Sequence, residues 1–206
     1  MYKRQLEYRW LGSYLGSLNM VDKCMAGMRG PALRVSHTQM HAIMKGATQM
    51  IADSMKGDRR FGDTKFADKF VMLEQTMCPE IIAGFPNLKA LPLEVLQGLL
   101  GTYMDQSLAP FYMDVMENAG LPADSCRLSA NAAGVAINDD YPQIGACLVT
   151  NNMPCDSSTM NSQLIERRVT IPSMVAGIPM RWEDAATDKY ALAQMKEVIR
   201  FIEQNT

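Results

Sequence analysis

The chain has 206 residues, enough for one sizeable core, and a formal net charge of −2 that leaves no basic footprint for nucleic acid or an anionic membrane. Its first residues, Met1-Tyr2-Lys3-Arg4-Gln5-Leu6-Glu7, lack the apolar core of a signal peptide, and no apolar run reaches membrane-spanning length, so a cytoplasmic protein is expected. Five cysteines, an odd number without CxxC spacing, argue against a disulfide framework and suit a reducing compartment.

In chain order, Leu6, Trp10, Leu11, Tyr14, Leu15 and Leu18 recur at helical spacing and predict an amphipathic packing helix over residues 2 to 20. Gly27-Met28-Arg29-Gly30-Pro31 matches neither a Walker A loop nor GxGxxG and reads as a turn. A second helix is predicted from Ser36 to Met55, with His41, Met44, Thr48, Ile51 and Met55 on one stripe. His37 and His41 are four apart, as in a helical metal pair, but the carboxylate expected within such a motif is missing, and packing is the better reading. Lys56-Gly57-Asp58-Arg59-Arg60 reads as a charged, solvated turn. Thr64 to Met77 gives another helical segment, interrupted at Cys78-Pro79, where Cys78 reads as a buried or idle thiol rather than a ligand. Phe85-Pro86-Asn87 and Ala90-Leu91-Pro92 bound a linker. From Leu93, the residues Val95, Leu96, Leu99, Leu100 and Tyr103 continue a helical pattern that Pro110 breaks or kinks. Phe111 to Asn118 resumes the helix, and Ala119-Gly120 is its stop.

A sheet is predicted only after that. Ile144 to Thr150 is the clearest strand, and Val169 to Val175, interrupted by Pro172, is the second. With the helix from Met160 to Arg168 between them, they form a βαβ unit, for which a parallel pair and a right-handed crossover are expected. Thr187 to Gln204 closes the chain as a helix with Tyr190, Met195, Val198, Ile199 and Ile202 inward and Lys189, Glu197 and Arg200 outward. The expected architecture is α/β: a mostly helical part, residues 1–120, followed by an α/β part, residues 121–206, with a small parallel sheet and flanking helices, together one domain.

The stretch from Asp124 to Ser158 carries the chemistry. Cys126 and Cys155 each stand where a loop gives way to a helix, with Asp124-Ser125 and Asp156-Ser157-Ser158 as cap residue types. The positive end of a helix dipole favours the thiolate, the form that ligates metal. Cys155 also follows a strand, and sites in open α/β sheets gather beyond the carboxyl ends of strands. A separation of 155 − 126 = 29 residues is by itself a weak signal, for which ordinary partly buried thiols are the better reading. Cys147 is the alternative further ligand inside this chain, but it lies in the strand run, where a buried Cys is common, and reads as structural. Asp156 either caps its helix or also orients the site, and Arg127 either offsets the charge of an anionic group or points to solvent.

Leu121-Pro122-Ala123-Asp124-Ser125-Cys126-Arg127 and Leu148-Val149-Thr150-Asn151-Asn152-Met153-Pro154-Cys155-Asp156-Ser157 resemble the 2-hydroxyacyl-CoA dehydratase subunits, relatives of benzoyl-CoA reductase. Ile178-Pro179, Tyr190, Gln194-Met195-Lys196 and Phe201-Ile202-Glu203 continue the resemblance, which covers about residues 120 to 206 well and the earlier part loosely. It implies the first of two similar Rossmann-like domains and a [4Fe–4S] cluster held by three cysteines, with Cys126 and Cys155 as the two first-domain ligands. The third ligand is not identified in this chain, since the resemblance places it in a second domain. Three-cysteine ligation leaves one iron open to substrate.

The implied activity is a lyase reaction, the reversible dehydration of an (R)-2-hydroxyacyl-CoA to the enoyl-CoA through a ketyl radical. Implied partners are a similar subunit in a heterodimer, an ATP-dependent iron–sulfur activator and the acyl-CoA, whose phosphates the Lys56–Arg60 turn could meet as the alternative to solvent. Eighteen methionines against six phenylalanines suit the anaerobic setting such chemistry needs. An aryl-CoA reductase subunit and a shortened, non-catalytic scaffold subunit are the alternative readings.

Overall fold

The computed structural model describes residues 45–46, 49–50, 52–74, 77, 79–94, 107–151, 156–179, 181 and 184–206. The expectations for residues 2 to 20, the turn at 27 to 31, His37, His41, Cys78 and the pattern from Val95 to Tyr103 lie outside these residues. Of the helix expected from Ser36 to Met55, residues 45–46, 49–50 and 52–55 are described and helical, and the helix continues through Lys56 and Gly57.

The sheet begins earlier than the hydrophobic pattern predicts. Asp63 caps a single helical turn, α1 (Thr64–Ala67), by accepting hydrogen bonds from the N–H groups of Lys65 and Phe66. Phe70-Val71-Met72-Leu73 then runs as β1 (Phe70–Leu73), buried at all four positions. The helix expected from Thr64 to Met77 is thus corrected to one turn and a strand. A short apolar run buried on both faces is the signature of an inner parallel strand, and periodicity alone cannot separate it from buried helix. The supposed linker around Ala90-Leu91-Pro92 is likewise a strand, β2 (Lys89–Pro92), reached through a 3₁₀ turn at Pro79–Gly84. Pro92 is tolerated because β2 is an outer strand among the described residues and Pro92 ends it.

The later strands fall where the sequence places them. β3 (Cys147–Asn151) and β4 (Ser173–Ala176) complete a four-stranded sheet of order β2-β1-β3-β4, parallel throughout. Leu73 lies level with Pro92 on one side and Val149 on the other, and Val149 is level with Met174. Pro172 stands just before β4 rather than inside it, and its carbonyl accepts the Leu148 N–H at 2.9 Å. Two of the four strands precede residue 120, so the sheet draws on both parts of the expected division.

Helices cover both faces. α2 (Leu108–Asn118) carries Pro110 in its first turn, where a missing N–H has no partner to lose, so the helix is not broken there. It stops where expected: the N–H groups of Gly120 and Leu121 donate to the carbonyls of Glu117 and Met116 at 2.9 and 3.3 Å. α3 (Arg127–Ile137) packs so closely on α2 that a Cβ at Gly134 would stand 2.1 Å from the Tyr112 carbonyl oxygen. With α4 (Asp156–Glu166) these helices cover the face presenting Phe70, Met72 and Leu148, through Tyr112, Ala132, Val135 and Ile165.

The other face, with Val71, Leu73, Cys147 and Val149, is covered by Val198 and Ile202 of α5 (Ala185–Asn205). Asp184 caps α5 by accepting the Thr187 N–H at 2.8 Å, and the Thr187 backbone and hydroxyl hold its carboxyl below the usual value. Val198 and Ile202 are fully buried, and Met195 is half-buried against the same core. Tyr190 and Ile199, expected inward, are 49% and 37% exposed. The inward stripe is Ala191, Met195, Val198 and Ile202, and each of the two exposed residues is one position, about 100° around the helix, away from a stripe member. Arg200 and Glu197 pair outward as expected, at 2.6 Å.

Candidate functional site

β1 connects to its neighbour β2 on one side, whereas β3 connects through α4 to β4 on the other. The crevice between β1 and β3, outside their carboxyl ends, is therefore the switch point of the sheet, the place where open α/β sheets bind ligands. Glu74 follows β1 there, buried, with its N–H donating to the Val149 carbonyl at 3.0 Å. Asn151, also buried, ends β3. The next residues, 152–155, lie outside the described ones, and Cys155 with them. Asp156 is the first residue of α4, so Cys155 directly precedes that helix in sequence.

Cys126 itself occupies the N-cap position of α3, with φ −54° and ψ 120°. Asp124 and Ser125, expected to cap, belong to the preceding turn, in which the Ser125 N–H donates to the Pro122 carbonyl at 3.2 Å. The Cys126 carbonyl accepts the Ala130 N–H at 2.9 Å, while its side chain makes no capping hydrogen bond. The thiol is free and exposed. Arg127 is exposed beside it.

A hydrogen bond ties Cys126 to the first turn of α4. The Cys126 N–H donates to Ser157 Oγ at 3.0 Å, across 31 residues of sequence. The amino end of α3, carrying Cys126, is thereby set against the first turn of α4, two residues from Cys155. Each helix is also tied at its far end. Thr150 Oγ1, buried in β3, donates to Glu166 Oε1 at the end of α4. Tyr112 Oη and Asn138 Nδ2 both donate to Asp140 Oδ2, at 2.9 and 2.6 Å, fastening the carboxyl end of α3 to α2. Ser157 reads in sequence only as a helix-start residue, and no local pattern pairs it with Cys126, because the bond depends on how α3 and α4 pack.

The remaining candidates separate from this point. Cys147 is fully buried in β3, and burial pushes its thiol up to about 11, so it stays protonated and belongs to the core, as expected. The Lys56–Arg60 turn is not a solvated loop. Asp58 is fully buried and pairs with Arg60 at 2.8 Å, and Arg60 Nη2 also donates to the Tyr141 carbonyl at 3.1 Å. Arg59 Nη1 donates to the Gly145 carbonyl at 3.0 Å and its other amino group pairs with Asp68. These bonds fasten the turn to the segment leading into β3, at the opposite end of that strand from Asn151.

Among the described residues no three His, Cys, Asp or Glu side chains form a metal-binding group. The donor chemistry at Cys126 nevertheless fits an iron–sulfur cluster: a free, exposed thiol at a helix start, with no capping bond to compete for it, next to the turn that follows a second cysteine. No helix among the described residues is long and apolar enough to cross a membrane.

A parallel sheet whose strand order reverses between β1 and β3 belongs to the open α/β class, in which ligands are taken up in the crevice beyond the strand ends. Within that class, the family model described as 2-hydroxyglutaryl-CoA dehydratase, D-component, matches residues 77–206, more than half of the chain, and the chain belongs to that family. No curated protein sequence matches it.

Proposed function

We propose that this chain is a subunit, or the first domain of one, of an iron–sulfur 2-hydroxyacyl-CoA dehydratase, converting an (R)-2-hydroxyacyl-CoA to the enoyl-CoA with loss of water. Family membership supports the dehydratase role. The observation that supports the cluster reading is the Cys126 N–H to Ser157 Oγ hydrogen bond, which ties Cys126 to the first turn of α4, two residues after Cys155 in sequence. Cys126 and Cys155 would hold a [4Fe–4S] cluster, with a third thiol supplied from outside the described residues. Bound there, the cluster would pass one electron to the thioester carbonyl of the acyl-CoA. Ser157 and the fastened ends of α3 and α4 hold Cys126 against the start of the helix that Cys155 directly precedes in sequence, which supports a preset site. A similar subunit and an ATP-dependent iron–sulfur activator complete the system.

Iron and acid-labile sulfide, measured on protein purified without oxygen, test this, with an electron paramagnetic resonance spectrum after reduction. Wild-type chain co-expressed with its partner subunit should carry a cluster, and Cys126→Ala with Cys155→Ala should abolish it while leaving the circular dichroism spectrum intact. Protein without iron in the presence of the partner would refute the ligand assignment and leave a scaffold role as the reading. A cluster present without turnover of (R)-2-hydroxyacyl-CoA, but with reduction of an aryl-CoA, would move the chain to the reductase side of the superfamily.

A further inference from the structure

At the opposite end of the sheet from the switch point, where β3 and β4 begin, lies a second concavity. β3 spans five residues, about 16 Å, so this cleft is separate from the Cys126 end. Its floor is apolar, formed by Met72, Ile144, Val169 and Ile171. Gly145, at φ +105°, stands beside that floor without a side chain to disturb it. A Cβ there would lie 3.0 Å from Met72 Cγ and 3.4 Å from Ile171 Cδ1, and the left-handed backbone itself favours glycine.

Most of the charge around the cleft is spent in ion pairs. Arg59, in the lining, is held by the Gly145 carbonyl and by Asp68, which offsets its charge. Arg60, beside the lining, is neutralised by the buried Asp58 at 2.8 Å. Asp139, in the lining, stands 4.0 Å from Arg60, but Asp58 already meets that charge, and the Asp139 side chain is 77% exposed. Arg168, also in the lining, is exposed, and its guanidinium makes no ion pair or hydrogen bond with a described residue, Asp139 included. The Tyr141 hydroxyl donates to the Leu93 carbonyl at 3.4 Å, and burial, then the nearby Glu94, keep its pKa well above the usual phenol value, so it adds no negative charge. The lining therefore has no net charge. It offers one cation and one anion, not paired with each other, above an apolar floor. A simple anion or cation gains from one of these groups what it loses to the other, whereas a molecule with both signs on neighbouring atoms gains from each. We propose that this cleft binds a free apolar α-amino acid as its zwitterion, the ammonium at Asp139, the carboxylate at the Arg168 fork and the side chain on Met72, Ile144 and Ile171. A residue inside a peptide lacks both charges, so the class is the free amino acid. The proposal stands on this lining alone and is independent of the cluster reading.

A nuclear magnetic resonance titration of the full chain with L-leucine tests it, read at the backbone amides and run at low ionic strength, where exposed charges are least screened. The controls are 4-methylpentanoate, which lacks the ammonium, and 3-methylbutan-1-amine, which lacks the carboxylate. Saturable leucine shifts are expected at Ile144, Gly145 and Ile171, with each control weaker by about threefold to fivefold, the scale of one exposed ion pair. Arg168→Met keeps the apolar stem and should weaken leucine by a similar factor while leaving the amine no weaker. Asp139→Asn suits the left-handed backbone at that position, φ +57°, and should weaken leucine while leaving the acid no weaker. Both variants should keep the wild-type melting temperature. Absence of saturable shifts, equal affinity for leucine and either control, or a variant that binds leucine as wild type does would overturn the proposal. Leucine shifts confined to the Cys126 end of α3 would also overturn it, by moving the ligand to the other end of the sheet.

Discussion

Gly134→Ala sets two effects of known size against each other. On helix propensity alone, alanine in place of glycine in the middle of α3 stabilises by about 1 kcal/mol. Packing opposes this. The added Cβ would lie 2.1 Å from the Tyr112 carbonyl oxygen and 2.8 Å from the carbonyl carbon, backbone atoms that no rotamer change can move. Relief therefore requires α3 to shift away from α2, which opens the contact lined by Met113, Met116, Ala130 and Ala133. Overpacking of this kind costs about 1–3 kcal/mol where a side chain can adjust, and a backbone obstacle belongs at the upper end. We expect a net loss of about 1–2 kcal/mol, or about 2–8 °C in melting temperature for a chain of this size. Thermal unfolding followed by circular dichroism measures it. Because α3 carries Cys126 at its start, the same variant should bind less iron than wild type when reconstituted. A melting temperature equal to or above that of wild type would refute the reasoning, because propensity would then have won and the close approach of α2 and α3 would not constrain the site.

Two further outcomes are expected. Ser157→Ala removes the acceptor of the Cys126 N–H, costs about 0.5–1.5 kcal/mol, and should slow cluster reconstitution more than Ser157→Thr, which keeps the hydroxyl; equal rates would remove Ser157 from the positioning role. For Cys147, the folded-state pKa lies above the ordinary thiol value, so its contribution to stability is complete below pH 9.0 and is lost as pH rises towards about 11, because the unfolded chain releases the proton more readily. Chemical denaturation across that range should show the wild type falling towards Cys147→Ala as pH rises, with iron content the same in both; a gap between them that does not change with pH would show that Cys147 is not titrating as a buried thiol.

Much of the second half was legible because its signals are local. The apolar run before Asn151, the helix between β3 and β4 and the closing helix expected from Thr187 to Gln204 are each decided by neighbouring residues, and the structure places them within a few positions of expectation. Likewise, the strand burying Cys147 was enough to mark that thiol as structural. β1 and β2 were not legible. Phe70-Val71-Met72-Leu73 has no alternation to mark it as a strand, and Lys89-Ala90-Leu91-Pro92 ends in a proline that reads as a break. Both become strands because their partners supply the hydrogen bonds that each segment lacks alone.

The sequence by itself determined the α/β class, through its periodicity, and the family, through the resemblance of the Cys126 and Cys155 neighbourhoods, which also implies the two cysteines worth testing. Only the tertiary structure decided that Cys126 itself takes the N-cap position of α3, that Ser157 ties it to α4, and that the Lys56–Arg60 turn is fastened to the far end of β3. The last two are contacts between segments distant in sequence, 31 residues apart for Cys126 and Ser157 and 86 for Arg59 and Gly145. Such contacts follow from how helices pack on a sheet with a given strand order, and a linear pattern read a few residues at a time carries no record of that order.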